Sequence, residues 1–147
     1  MSAIESIAWG HMLSTWALVG LIWTIQLVHY PLFARVGDAA FPIYAHAHGL
    51  RITPLVAPLM VIEALSGLAC WWLLPELSAL TTPGVVLLVV IWSSTALLQV
   101  PCHRQLADGY DAAVVKRLVR SNWVRTLAWS VRGVIAVGVL RGVVLGG

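Results

Sequence analysis

Two stretches of this chain hold side chains whose types and spacing could do chemistry: Gln99-Val-Pro-Cys-His103-Arg-Gln-Leu106 and, further on, Asn122-Trp-Val-Arg125-Thr-Leu-Ala-Trp129-Ser-Val-Arg132. The first half answers them with Gln26 one turn before His29 and with Arg51, much as Gln99 precedes His103 and Arg125 follows it. Two histidines on opposing helices at one depth, beside two arginines, would suit a haem with axial imidazoles from His29 and His103 and propionates on Arg51 and Arg125. In that arrangement Gln26 and Gln99 lie one turn deeper and belong to the same cofactor site. The same histidines, joined by His48 and by Glu63 or Cys102, could instead hold copper or non-haem iron. A third reading needs no cofactor: the polar groups are interhelical hydrogen-bond glue, each bond contributing about 0.6–2 kcal/mol. A fourth makes them a transport pathway. No HExxH, paired CxxC, phosphate loop or Ser-His-Asp pattern selects among the four.

The elements that must position these residues are membrane helices. Of 147 residues, 60% are hydrophobic, with nine Lys and Arg against six Asp and Glu, and the mean hydropathy is +0.89. That is too little polar surface to cover a soluble globule. Apolar runs at roughly 8–32, 52–74, 84–102 and 122–145 are each long enough to cross about 30 Å of hydrocarbon. Single strands cannot do so, because their backbone groups would be unpaired in lipid. The fold class is therefore all-α, a single four-helix transmembrane bundle. Short interfacial helices are expected in connections 1 and 3, the latter capped by Asp111 and carrying Lys116, Arg117 and Arg120.

Charge sets the expected orientation. Arg35, Arg51, Arg104, Lys116, Arg117, Arg120 and Arg125 fall in or beside connections 1 and 3, whereas the N-terminus and connection 2 carry only Glu5 and Glu76. The positive-inside rule puts those two connections in the cytoplasm and both termini outside a cell inner or plasma membrane. The first run has no basic n-region, follows Glu5 and is too long for a signal h-region, so it reads as a retained helix. The basic balance follows from topology and does not argue for nucleic acid; the partner it implies is the lipid bilayer.

Within the spans, periodicity picks out faces. Trp9, Trp16, Trp23 and Tyr30 repeat every seven residues as a packing or lipid-contact stripe, while His11, Thr15, Ile22, Gln26 and His29 form a polar face turned into the bundle. Trp92, Thr95, Gln99 and His103 share one face of the third helix, and Asn122, Arg125, Trp129, Arg132 and Ala136 one stripe of the fourth. Glu63 lies about 18 Å along the second helix, near midplane. It must be protonated, paired or bound to something. Arg132 is within reach, so the two are read as an ion pair and as the catalytic candidates of the membrane interior. His46 and His48, two apart, do not share a helix face and form a poor chelate on their own. The second helix is expected to bend or loosen at Pro54 and Pro58, Pro83 to open the third helix, and Asp38 to cap the short helix of connection 1. Cys70 and Cys102 fall near opposite ends of their helices, beyond the about 7 Å a disulfide tolerates, so no internal bridge is expected.

The halves also read as two tandem helical hairpins. Gln26, Ala34, Asp38, Ala39 and Ala40 match Gln99, Ala107, Asp111, Ala112 and Ala113 at an offset of 73, and His29, Leu32 and Arg51 match His103, Leu106 and Arg125 at 74. Such a parallel repeat would carry a pseudo-two-fold axis along the membrane normal.

Pro101-Cys-His103-Arg-Gln-Leu106, followed by Asn122-Trp123 and a last helix containing Trp129-Ser-Val-Arg132, resembles the anthrone oxygenase-like family of small four-span membrane proteins. The first helix, with Trp23 eight residues before Pro31 and Leu32-Phe33 after it, is similar to HemJ-type protoporphyrinogen oxidases and copper-resistance D-like proteins. The chain departs from those patterns at His103, where an Asn is expected, and at Trp129, where a histidine is. Trp16 stands near the register of the upstream haem histidine of the HemJ type. The resemblance implies a membrane oxidoreductase, haem- or metal-dependent, acting on an aromatic or lipid-soluble compound. The competing expectation is a non-enzymatic accessory subunit of a larger membrane complex or homo-oligomer, or a small transporter.

Overall fold

A computed structural model describes residues 1–146 and is helical from end to end, with four long helices: α1 (Ala3–Arg35), α2 (Phe41–Leu73), α3 (Pro75–Asp108) and α4 (Ala112–Gly146). All four are long and apolar enough to cross a membrane. At 33 to 35 residues each, they run about 50 Å, well beyond the hydrocarbon thickness. The extra length replaces the expected interfacial helices. The helical parts of connections 1 and 3 are continuous with α2 and α4, leaving turns of only a few residues at 36–40 and 109–111.

The helix ends follow local chemistry. Ser2 and Glu5 close a reciprocal capping box on α1. Asp111 caps α4 as expected, its Oδ1 accepting from Ala113 N at 2.7 Å and Val114 N at 3.2 Å. Asp38 does not cap α2. The turn through Gly37, at φ +39°, carries the chain on to Ala40 before the helix begins, so Asp38 contributes only its carbonyl, to Phe41 N. Nor does Pro83 open α3. Leu74 leaves the helical region at φ −124°, ψ 64° and Pro75 restarts the chain in a tight turn, which puts Pro83 inside the helix. Pro54 and Pro58 likewise lie within an unbroken α2.

Two other prolines do reshape their helices. Ahead of Pro31 the backbone forms a π-turn over Ile25–His29, where Tyr30 N–H reaches back to the Ile25 carbonyl. Ahead of Pro101 the same turn recurs over Thr95–Gln99, closed by Val100 N–H on Thr95. Proline lacks the N–H that would bond four residues back, and its ring crowds that carbonyl, so the preceding turn widens. The matched devices relate the two halves at an offset of 70, which pairs Pro31 with Pro101 and His29 with Gln99, not with His103 as expected.

Packing is layered along the bundle. An apolar cluster around Phe33, Phe41, Leu106 and Leu118 fills the end near connections 1 and 3, a second around Leu18, Ile22, Ile91 and Trp129 fills the middle, and a third around Cys70, Leu74 and Val139 closes the far end. Both cysteines are free and lie in different clusters. Outward-facing Leu13, Leu97, Val134 and Leu145 are exposed, the surface a bilayer would cover. Gly133 lets α1 approach α4, since a Cβ there would meet Val19 at 3.3 Å and Trp16 at 3.4 Å. The second helix stands apart: 11% of its apolar stretch is buried, against 39% for α1 and α4, which leaves clefts on both sides of it.

Candidate functional site

Between the first and middle apolar clusters the sequence forces polar side chains inward, and they divide into a part that ties helices together and a part that faces open space. The first part is Gln26, Asn122 and Thr126, all buried. Gln26 Nε2 donates to the Val119 carbonyl at 3.1 Å, while its Oε1 accepts from Asn122 Nδ2 at 2.9 Å and Thr126 Oγ1 at 3.4 Å. On α3, Gln99 does the same: Oε1 accepts from Ser94 Oγ at 3.0 Å and Nε2 donates to Ser121 Oγ at 3.1 Å. Both glutamines, expected beside a cofactor, therefore spend their amide groups fastening α1 and α3 to α4, as buried amides must find partners.

The second part is a chain of rings. The π-turn in α1 delivers His29 and Tyr30, α2 delivers His48, and the helix after the π-turn in α3 delivers His103. His29 Nε2 lies 2.8 Å from His48 Nδ1 and Tyr30 Oη lies 2.9 Å from His103 Nε2. The His48 ring stands between the other two imidazoles, with centroids 4.6 Å from His29 and 5.5 Å from His103. Phe33 packs edge-on against His29, His48 and His103 and fixes the cluster from the core side. His46 is exposed on α2 and makes no contact within the chain of rings, though it borders a cavity beside it.

His48 lines three cavities. One of about 370 Å³, between α1 and α2, is shared with His29 and Arg51. A second of about 440 Å³ is shared with His46, His103 and Arg104. The third, of about 320 Å³ between α2 and α3, reaches deepest: Tyr30, His48, Gln99, His103 and Arg125 converge at one end, and Val56, Ala57, Met60, Val61 and Trp92 make the apolar remainder. Val61 and Trp92 are 46% and 42% exposed, so this cavity opens sideways on the surface a bilayer would cover. Thr95 lines it too, completing the expected α3 face.

The two arginines paired by the sequence differ in surroundings. Arg51 is exposed at the rim of the α1–α2 cavity. Arg125 is buried, lies over the Trp129 ring at 5.0 Å and donates through Nη1 to Asn122 Oδ1 at 3.4 Å. Glu63 and Arg132 belong to a different layer, about 10 Å further along α4 by helical rise. They meet in a buried ion pair, and Arg132 also donates to the Gly84 carbonyl. His11 and Gly67 pack against the pair. A cavity of about 10 Å³ lies beside Arg132, room for about one water. The pair lies apart from the three larger cavities that His48 lines.

The donor set can be tested against the expected cofactors. A porphyrin held between His29 and His103 needs its plane between the two imidazoles, and His48 fills that place, so the bis-histidine haem does not fit. A single metal ion on His29, His48 and His103 requires three nitrogens turned to one point. As placed, their nitrogens are engaged with each other and with Tyr30, and no group of three or more His, Cys, Asp or Glu among the described residues is set to hold a metal ion.

Tyr30 and His11 were not singled out by sequence as site residues, and His48 was ranked behind His29 and His103. The missed signal for Tyr30 is its place directly before Pro31, at the exit of the π-turn. Comparison with protein-family models, with curated proteins and with solved structures gives no match in any of the three.

Proposed function

We propose that this four-helix membrane protein takes a lipid-soluble compound from the bilayer into the cleft between α2 and α3 and presents it to a proton-carrying chain of Tyr30, His103, His48 and His29. The observation that carries the reading is the convergence of Tyr30, His48 and His103 at one end of an apolar cavity whose mouth opens sideways, with His29 hydrogen-bonded to His48 behind them. Tyrosine and neutral histidine both donate and accept. A proton leaving a bound hydroxyl or acid is taken up by the Tyr30–His103 pair. Passage on to the His48–His29 pair, which borders the α1–α2 cleft, needs a water or a ring rotation to bridge His103 and His48, whose ring centroids lie 5.5 Å apart. Oxidoreductase-like chemistry on such a compound, as the resemblance to anthrone oxygenase-like proteins suggests, would place proton handling on these residues. Electron transfer would fall to a redox group or co-substrate outside the chain. The basic residues near connections 1 and 3 favour the cytoplasm for the histidine end.

The test is recovery of ligand from protein purified out of native membranes. Mass spectrometry of organic extracts should find a lipid-soluble compound enriched on the wild type and lost from Ala57→Trp, which fills the apolar part of the cavity. Tyr30→Phe and His103→Gln should keep the compound but stop its conversion. Identical extracts from wild type and Ala57→Trp would overturn the proposal.

A further inference from the structure

Arg125 is the one arginine that the fold buries without a counter-charge: it is 6% exposed, and among the described residues no carboxylate lies within salt-bridge distance of it, whereas Arg132 has Glu63. Its Nε has no hydrogen-bond partner, its bond to Asn122 Oδ1 is long at 3.4 Å, and the other polar side chain beside it is the neutral phenol of Tyr30. The Trp129 ring face on one side contributes a cation–π contact of about 0.5–2 kcal/mol, less than the cost of leaving a guanidinium unpaired at membrane depth. A buried cation in that state needs an anion from outside the chain. Arg125 also lines the α2–α3 cavity, whose mouth faces the bilayer side, so the anion can arrive on an apolar carrier.

We infer that the cavity binds a long-chain carboxylic acid, its carboxylate held by Arg125 with Tyr30 and His103 beside it and its chain lying along Val56, Met60, Val61 and Trp92. A carboxylate suits the site because it can take two parallel N–H bonds from one edge of a guanidinium. The hydrocarbon tail is matched by the aliphatic and Trp92 wall and by the sideways opening. This inference rests on the cavity being a ligand site, and it adds that the ligand is an acid and names the group that recognises it.

The test uses the full-length protein in detergent, tritiated palmitate as the probe, and hexadecanol and hexadecyl phosphate as competitors. Palmitate should bind saturably, hexadecanol should compete at least tenfold more weakly, and Arg125→Met should lower palmitate affinity by roughly tenfold to a hundredfold, the range of a charged hydrogen-bonded pair. Arg125→Lys should recover part of the loss. If Arg125→Met does not fold, Ala57→Trp, which leaves the arginine in place, should abolish binding. Equal competition by hexadecanol and palmitate would overturn the acid while leaving the cavity as a ligand site. Hexadecyl phosphate competing more strongly than palmitate would overturn the carboxylate in favour of a phosphate. Failure of all three to bind would overturn the long-chain ligand, while the ligand site itself stands or falls on the extracts of wild type and Ala57→Trp.

Discussion

Replacing one partner of the Glu63–Arg132 pair should cost far more than replacing both. Glu63 is 0% and Arg132 2% exposed, so a single substitution strands the other charge in a packed interior, a loss of about 3–5 kcal/mol. Arg132→Met is the costlier of the two, because it also withdraws the donor from the Gly84 carbonyl, a charged hydrogen bond of about 1.5–3 kcal/mol. Glu63→Gln keeps an acceptor for the guanidinium and falls at the lower end. In the Glu63→Gln, Arg132→Met double variant no charge remains to be stranded, and its loss should be smaller than that of either single, so that the double is more stable than the sum of the singles by more than about 3–5 kcal/mol. The assay is equilibrium unfolding in mixed micelles of rising dodecyl sulfate fraction, followed by far-ultraviolet circular dichroism. A double variant whose loss equals the sum of the two single losses within about 0.5 kcal/mol would refute the pairing as an energetic unit.

Other outcomes follow from the same geometry. Gly67→Ala puts a Cβ 3.0 Å from His11 Cε1 and 3.1 Å from Arg132 Nη2 and should destabilise by about 1–3 kcal/mol, whereas Gly20→Ala, with nothing within 4 Å, should stay within about 0.5 kcal/mol; the same unfolding assay reads both. Deleting the exposed Leu97 from the π-turn Thr95–Gln99 should return that turn to α geometry with the register kept on either side. Deleting Val90 from the regular part of α3 should rotate every following side chain by about 100° and stop the protein from folding, as read by detergent size-exclusion chromatography. A reporter fused after Gly147 should be active only on the outer side of the membrane, and cytoplasmic activity would reverse the proposed orientation.

The helices and their inward faces were legible because membrane depth leaves polar residues few alternatives. Asn122, Arg125, Trp129, Arg132 and Ala136 form one buried stripe as the periodicity requires, and Glu63 finds Arg132 because nothing else of opposite charge lies at its depth. The extent of the helices was less legible, since polar residues such as Arg35 and His46 interrupt the apolar runs while the backbone continues to hydrogen-bond as helix. The site was harder to read for a different reason. The His46/His48 spacing excludes a chelate on one helix but says nothing about partners on α1 and α3, so the central place of His48 depends on tertiary packing. The repeat was aligned on Gln26 with Gln99, which do share a role, but through the π-turns the backbone pairs Pro31 with Pro101. Under that pairing His29 corresponds to Gln99 and not to His103.

Mapping where a lipid-soluble probe attaches in the native membrane tests the central claim most directly. A diazirine-bearing fatty acid photolysed in membranes containing the protein should label the Val56–Val61 and Thr95–Gln99 segments that line the α2–α3 cavity, and excess palmitate should remove that labelling. Labelling confined to outward positions such as Leu13 and Val134, or unchanged by excess palmitate at every site, would contradict the account.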